Sequence, residues 1–298
     1  MKRFTSASPE ATIRDVAREA GVSVTTASYA MNDTGRVSTE TKERVVKAAE
    51  ALGYSPSIAA RLLKGAKGNL IAVLAEGLAG PWYGEILEGL QPAINAKGFA
   101  VVAMTMQRDS IALCGSLASA GLLRGVVILN PKESLAPFIS RLARSVPTAL
   151  FDPGVLDVMA ARYVLDNRGG MRALMDHLWE RGYRDYLWLD GDVEAAWDAR
   201  ERYEAFDAFL EERGLPRDAR RRAVGGFKTE VAERSVAEIL GRGRAPRVIV
   251  AANDESAIGA LNAVRRSGLA VPADVAVAGF DGLDVSAWLH PPLTTLGY

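Results

Sequence analysis

Several short apolar runs in this 298-residue chain end in side chains able to hydrogen-bond a polyol: Asp152 after TALF, Asp190 after YLWL, Asn253 and Asp254 after VIVAA, and Asp281 after VAVAGF. Arg202, at the start of a helical stretch, adds a forked donor. Carboxylates, an amide and a guanidinium form a set that clamps adjacent hydroxyls, while Trp82, Tyr83, Phe227 or Trp288 offer rings on which an apolar sugar face can stack. Each polar residue also has a plain structural reading as a helix cap, and each ring has one as core or surface.

No catalytic constellation competes. No GxGxxG follows a strand, no GxxxxGK[ST] phosphate loop is present, and no GxSxG elbow occurs. His177 and His290 lie far apart in sequence, and the single cysteine, Cys114, leaves no clustered zinc ligands. One cysteine also excludes an intrachain disulfide and suits a reducing compartment. The expectation is a chain without catalytic residues, cofactor or metal.

Polar groups at the ends of apolar strands need sheets to carry them. Leu70–Gly77, Phe99–Met104, Gly125–Leu129, Thr148–Asp152, Asp185–Asp190, Arg247–Asp254 and Asp274–Asp281 read as strands. Helical patterns at Tyr83–Lys97, Arg168–Arg181, Glu201–Arg213 and Glu230–Leu240 fall between them. Continuous apolar strands alternating with helices indicate parallel sheets covered on both faces. The length implies two α/β lobes, divided near Tyr163–Asn167, with the chain crossing back near Pro291–Thr295. Such sheets bind ligands at the carboxyl ends of their strands, so a crevice between two lobes collects the residues above.

The first part of the chain has a different texture. In TIRDVAREAGVSVTTASYAMN (Thr12–Asn32), Ile13, Val16, Ala17 and Ala20 recur at helical spacing, Gly21 supplies a tight turn, and Ser23 caps a second helix facing inward through Ala27 and Ala30 or Met31. Two short helices so spaced form a helix-turn-helix, whose second helix enters the DNA major groove; an ordinary helical hairpin is the plain alternative. Ser38 or Thr39 caps a third helix, Glu40–Leu52, buried through Val45, Ala48, Ala49 and Leu52, with Gly53 ending it and Tyr54 covering the core. Residues 1–10 read as a disordered lead-in. Pro56–Lys67 is too short for an independent helix; it is either a plain linker or a hinge that becomes helical on DNA. Residues 1–68 carry 11 Lys or Arg against 7 Asp or Glu, so a net charge of zero conceals a basic head on a mildly acidic body. No run reaches the length of a membrane span, and no secretory leader precedes Thr12.

These stretches, followed by GRVSTETKERVVKAAEALGYSPSIAARLLKG and GFDGLDVSAWLHPPLTTL, resemble the LacI/GalR family of transcription repressors from Thr12 to Leu296. The DNRGG run at Asp166–Gly170, Arg202 with Phe206, AAND at Ala251–Asp254 and PPLTT agree with the pattern. The resemblance implies an N-terminal all-α helix-turn-helix head with a hinge helix, followed by an α/β periplasmic-binding-protein-like body of two parallel-sheet lobes. The expected divisions are residues 1–55 for the head, 56–68 for the hinge helix and linker, 69–166 and 167–291 for the lobes, and 292–298 for a crossover. Family members continue past PPLTT through a strand and a helix, whereas this sequence stops at Tyr298, so the resemblance implies an exposed apolar surface and either a truncated C-terminus or an altered dimer and ligand pocket.

By the same resemblance, Val24, Thr25 and Tyr29 face the bases of a near-palindromic double-stranded operator. Thr12, Ser23, Thr26, Ser28 and Asn32 fall at phosphate contacts or caps, with Arg36 and Lys42 as weaker candidates. Leu63 is the minor-groove wedge of the hinge, flanked by Ala60 and Lys64. The effector pattern lands on Asp152, Arg202, Phe227, Asn253 and Asp281, to which the residue reading adds Trp82 as a stacking ring, with a carbohydrate favoured over a nucleobase. Homodimers, in some members tetramers, are implied, with a body interface around Trp82–Leu90, no membrane partner, and a bacterial cytoplasmic, nucleoid-associated location. Val24 suits methyl contact with thymine rather than a polar contact. Two rivals remain: a sugar-binding module, which residues 12–67 disfavour, and a ligand-independent DNA binder, which needs no polar cleft.

Overall fold

The structure, a computed structural model, describes residues 11–32, 35–54, 68–191, 196–216 and 220–297. It divides into two compact units, residues 1–68 and 69–298.

The head unit follows its apolar spacing. Helices α1 (Ile13–Glu19), α2 (Val24–Asn32) and α3 (Thr39–Ala51) bury Val16, Ala17, Ala20, Ala27, Ala30, Val45, Ala48 and Ala49 in one core, covered by Tyr54. Small side chains let short helices approach closely. Gly21 ends α1 at φ +63°, and the Val22 and Gly21 amides donate to the Ala17 and Arg18 carbonyls at 2.9 and 3.2 Å. That paired closure turns the chain directly into α2. Thr12 donates both its amide and its hydroxyl to the Asp15 carboxylate, at 3.0 and 2.6 Å, which opens α1. Those bonds, with Arg18 alongside, hold the Asp15 carboxyl below its ordinary range.

Ser38 opens α3: its hydroxyl accepts the Thr41 amide at 3.3 Å and donates to the Thr41 hydroxyl at 2.9 Å. Ser38→Ala is expected to cost the head about 1 kcal/mol, accelerating amide exchange in α3 of the full chain by about fivefold. Unchanged exchange would show that the cap contributes nothing to the helix.

The body begins with strand β1 (Leu70–Ala75), then α4 (Pro81–Asn95), β2 (Ala100–Thr105), α5 (Arg108–Ser119), β3 (Leu123–Leu129), α6 (Ala136–Ala143), β4 (Thr148–Phe151) and β5 (Ala161–Tyr163). These strands pair in parallel in the order β2-β1-β3-β4-β5. Ala72, Leu74, Val126 and Ile128 pack with Cys114, Ile139 and Leu142 from α5 and α6 on one face. Val73, Ala75 and Leu129 meet Trp82, Tyr83, Ile86 and Leu87 of α4 on the other.

The second lobe contains α7 (Asn167–Glu180), β6 (Tyr186–Asp190), α8 (Trp197–Glu212), β7 (Arg220–Val224), α9 (Thr229–Gly241), β8 (Val248–Ala251), α10 (Asp254–Arg266), β9 (Ala276–Asp281), α11 (Asp284–Trp288) and β10 (Thr294–Gly297). Its parallel order is β10-β9-β8-β6-β7. Tyr186 and Trp188 enter the core beneath α7 and α8, while Leu187 and Leu189 enter the opposite core beneath α9 and α10. Burial on both faces explains why β6 reads as unbroken apolar sequence.

Within residues 292–298, read as a crossover, Thr294–Gly297 forms edge strand β10 of the second sheet. Thr295 Oγ1 donates to Asp254 Oδ1 at 2.5 Å, and Leu293 sits in the lobe-two core, which holds this segment in place. Among the described residues, no helix is long and apolar enough to cross a membrane.

Candidate functional site

Two surfaces carry the expected chemistry, one in each unit. On α2, the buried Ala27 and Ala30 leave the opposite face outward, where Val24 and Tyr29 remain 45 % and 46 % exposed beside exposed Thr25. Spacing of four and five residues puts these side chains on neighbouring turns. Ser23 caps the helix by accepting the Thr26 amide at 3.0 Å, and its hydroxyl lies 2.8 Å from that of Thr26. Ser28 is half-buried and Thr12 is exposed at the start of α1. Gly35, at φ +76°, lies beneath the Tyr29 ring: a Cβ there would come within 2.8 Å of a ring carbon. The glycine therefore lets the loop approach the ring and limits where Tyr29 can point. The Asn32 side chain and Ala60, Leu63 and Lys64 lie outside the described residues.

The second surface is the crevice between the two lobes of the body. Trp82, Tyr83 and Asn130 from the first lobe face Asp198, Arg202, Phe227, Asn253, Glu255 and Asp281 from the second around a cavity of about 120 Å³. An adjoining cavity of about 80 Å³ shares Tyr83, Asn130, Asp198 and Phe227 and extends to Asp152, Trp197, Lys132 and Glu76. Asn130, Asp152, Asn253 and Asp281 all lie at carboxyl ends of parallel strands, as the sheet topology requires. Sequence reading overlooked Asn130, although it follows an apolar run just as Asp152 does. It also overlooked Asp198, whose only cue is its place one helical turn before Arg202.

Arg202 is the centre of this crevice. Only 2 % exposed, it donates to Asn167 Oδ1 at 2.9 Å, the Ala252 carbonyl at 2.7 Å and Asp281 Oδ1 at 3.1 Å. Its Nη2 lies 3.6 Å from Asp198, and its guanidinium carbon stands 4.0 Å from the centre of the Phe280 ring. It lies in the second turn of α8 rather than at a helix start, and much of its bonding capacity is spent inside the protein. Asn253 also has two duties, since its Oδ1 caps α10 by accepting the Ser256 amide at 2.9 Å.

Strain and unmet polarity gather at the same place. Among the described residues, the non-glycine positions with positive φ are Asn130, Asp152, Phe227 and Asp281, and all four line the crevice. Such conformations cost stability and persist where surrounding structure holds them. Among the described residues, Asp152 Oδ1 and Asn130 Oδ1 are buried without hydrogen-bond partners. Burial pushes the Asp152 carboxyl up to about 6, with the Asp198 charge adding to the effect. Burial, followed by the charges of Glu76, Asp198, Glu255 and Asp281, pushes the Tyr83 hydroxyl up to about 12.

Other strand-end residues are used elsewhere. Asp190 accepts the Trp188 indole N–H at 2.7 Å and pairs with Arg222. Asp254 accepts the Leu283 amide at 2.9 Å and the Ser286 hydroxyl at 2.8 Å, tying loops of the second lobe together. Trp288 is 79 % exposed and lines neither cavity.

The chain matches a family model described as bacterial regulatory proteins, lacI family, over residues 12–57, and one described as a periplasmic binding protein-like domain over residues 175–298. It is 32 % identical to the HTH-type transcriptional repressor PurR of Erwinia tasmaniensis, over 96 % of this chain and 85 % of that protein. A crystal structure of the lac repressor dimer bound to operator and the anti-inducer ONPF superposes with a TM-score of 0.78 at 27 % identity, covering 97 % of this chain and 87 % of that one. The complex of the transcriptional regulator CelR with cellobiose gives a TM-score of 0.65 at 27 % identity, covering 97 % and 88 %.

Proposed function

Because the chain belongs to the LacI family of bacterial regulatory proteins, and so is a DNA-binding transcriptional regulator, we propose that it is a repressor whose operator affinity is set by a small polar metabolite held in the inter-lobe crevice. The observation that carries this reading is the crevice itself. Four strained backbone positions and two buried oxygens without partners among the described residues converge on the two adjoining cavities of this crevice, an arrangement that adds nothing to an unliganded fold. A carbohydrate is the favoured class, since the lining joins carboxylates, an amide and an arginine to the rings of Trp82 and Phe227. The carbohydrate complex of CelR, a structural relative, supports that choice.

In this reading the protein acts as a cytoplasmic homodimer on a near-palindromic operator. Val24, Thr25 and Tyr29 read bases, and Thr12, Ser23, Thr26, Ser28 and Asn32 serve as caps or phosphate contacts. Ala60, Leu63 and Lys64 belong to the hinge. Ligand binding favours one lobe arrangement, and the linked change in operator affinity is expected to be worth about 1–3 kcal/mol.

The test is titration of DNA from upstream of the gene with the purified protein, at fixed salt, with and without a panel of sugars and nucleobases. Salt is held constant because phosphate contacts make affinity steeply dependent on ionic strength. A ligand that shifts the curve supports the switch; tight binding that no ligand shifts favours a ligand-independent regulator. Tyr29→Ala is expected to weaken operator binding by about 1–3 kcal/mol while leaving non-specific DNA affinity nearly unchanged. An equal loss on both DNAs would remove Tyr29 from the base-reading set.

A further inference from the structure

The described lining of the crevice holds more acidic than basic side chains. Asp152, Asp198, Glu255 and Asp281 all border it. Arg202 faces two of them, Asp281 at 3.1 Å and Asp198 at 3.6 Å, while Lys132 is paired with Glu76 at 2.5 Å. Among the described lining residues, Arg202 thus reaches two of the four carboxyl groups, Asp281 and Asp198. Burial first, and then the charges of Glu76, Asp198, Glu255 and Asp281, disfavour ionisation of Tyr83. Unmet hydrogen-bonding capacity has the same sign. Asp152 is 5 % exposed, and its Oδ1 has no donor. Asn130 Oδ1 is likewise an acceptor without a donor. Aromatic faces complete the lining: Trp82 and Tyr83 stand edge to face with centroids 4.9 Å apart, and Phe227 lies opposite them. Acceptors, uncompensated negative charge and π-faces are complementary to a cation carrying several N–H donors.

We propose that the effector is an amine-bearing polyol, its ammonium group held among Asp152, Asp198 and Glu255 and its hydroxyls by Asn130, Asn253 and Asp281. This rests on the effector-binding reading above and narrows it. A neutral sugar would satisfy the hydroxyl contacts but leave the excess negative charge enclosed with it. An ammonium supplies three donors and one compensating charge at once. An anionic sugar such as a phosphate ester would meet repulsion from every carboxylate except where Arg202 faces it.

The experiment uses matched pairs on the full chain at pH 7.5 and low salt: glucosamine against glucose, galactosamine against galactose, and 1-amino-1-deoxyglucitol against glucitol. Affinity is read by calorimetry and by the shift in melting temperature. At least one amine should bind about tenfold more tightly than its neutral parent, and that preference should shrink as salt rises. Asp198→Asn and, separately, Glu255→Gln should each weaken the amine more than its neutral parent, and so reduce the preference. If neutral members bind as well as or better than the amines, the charge inference is overturned and the effector reading stands. If no member of any pair binds, both fall. A preference that survives both substitutions overturns the placement of the ammonium.

Discussion

Arg202→Ala is expected to remove about 3–5 kcal/mol of stability from the body and to abolish the ligand response, read together as a lower urea midpoint and a DNA-binding curve that no crevice ligand shifts. The magnitude follows from what the side chain leaves behind. Asp281 loses its 3.1 Å partner, Asp198 a cation at 3.6 Å, and the Ala252 carbonyl and Asn167 Oδ1 their donors, in a region where the arginine itself is only 2 % exposed. Breaking a buried pair from one side strands the other charge, which costs more than the pair contributes intact. The stacking of the guanidinium on Phe280 is lost as well. Arg202→Lys separates the two roles. It retains the charge but not the planar fork that reaches Ala252, Asn167 and Asp281 together, so it should recover part of the stability and little of the ligand response. If Arg202→Ala instead melts like the parent protein, the network around it is not holding the second lobe.

This dual role was not legible in the sequence, where Arg202 reads simply as a cleft residue at a helix start. The α/β alternation was far easier to read, because the interior of a parallel strand buried on both faces must be apolar, and Tyr186–Leu189 and Val248–Ala251 are. Strand β7, RRRAV, was missed for the opposite reason. Its arginines give no apolar run, yet Arg221 pairs with Asp185 and Arg222 with Asp190, so edge-strand charge is neutralised by contacts that only tertiary structure supplies. The same contact takes Asp190 out of the ligand set, although its strand-end position matches that of Asp152. The short strands β5 and β10 gave no apolar signal long enough to read. In the head, where contacts are local, caps and turns were legible almost residue by residue: Ser23, Gly21, Ser38 and Gly53 each occupy the role that their chemistry predicts.

Asp152→Asn is expected to stabilise the unliganded protein at pH 8 by up to about 3 kcal/mol, with the gain disappearing towards pH 4. The sign follows from the direction of the shift. Burial, reinforced by Asp198, holds the native carboxyl at about 6, above its ordinary value of 3.8. The folded state therefore keeps a proton that the unfolded chain has released, and stability falls as pH rises through that interval. Above it, the native fold carries a buried charge whose Oδ1 finds no donor. Asparagine removes the charge but can still accept the Asn167 amide, which now meets Asp152 Oδ2 at 3.4 Å. The measurement is the difference in unfolding free energy between variant and parent from pH 4 to 8; a difference that does not change with pH would place the Asp152 titration outside the native fold. A ligand ammonium should reverse the balance, drawing the carboxylate into its charged form. Near pH 6, amine binding to the parent protein should release protons, visible as a dependence of calorimetric heat on buffer ionisation, and the Asp152→Asn variant should lose that release together with the amine preference. The stability lost to the buried Asp152 charge at neutral pH would thus be recovered when a cation binds beside it.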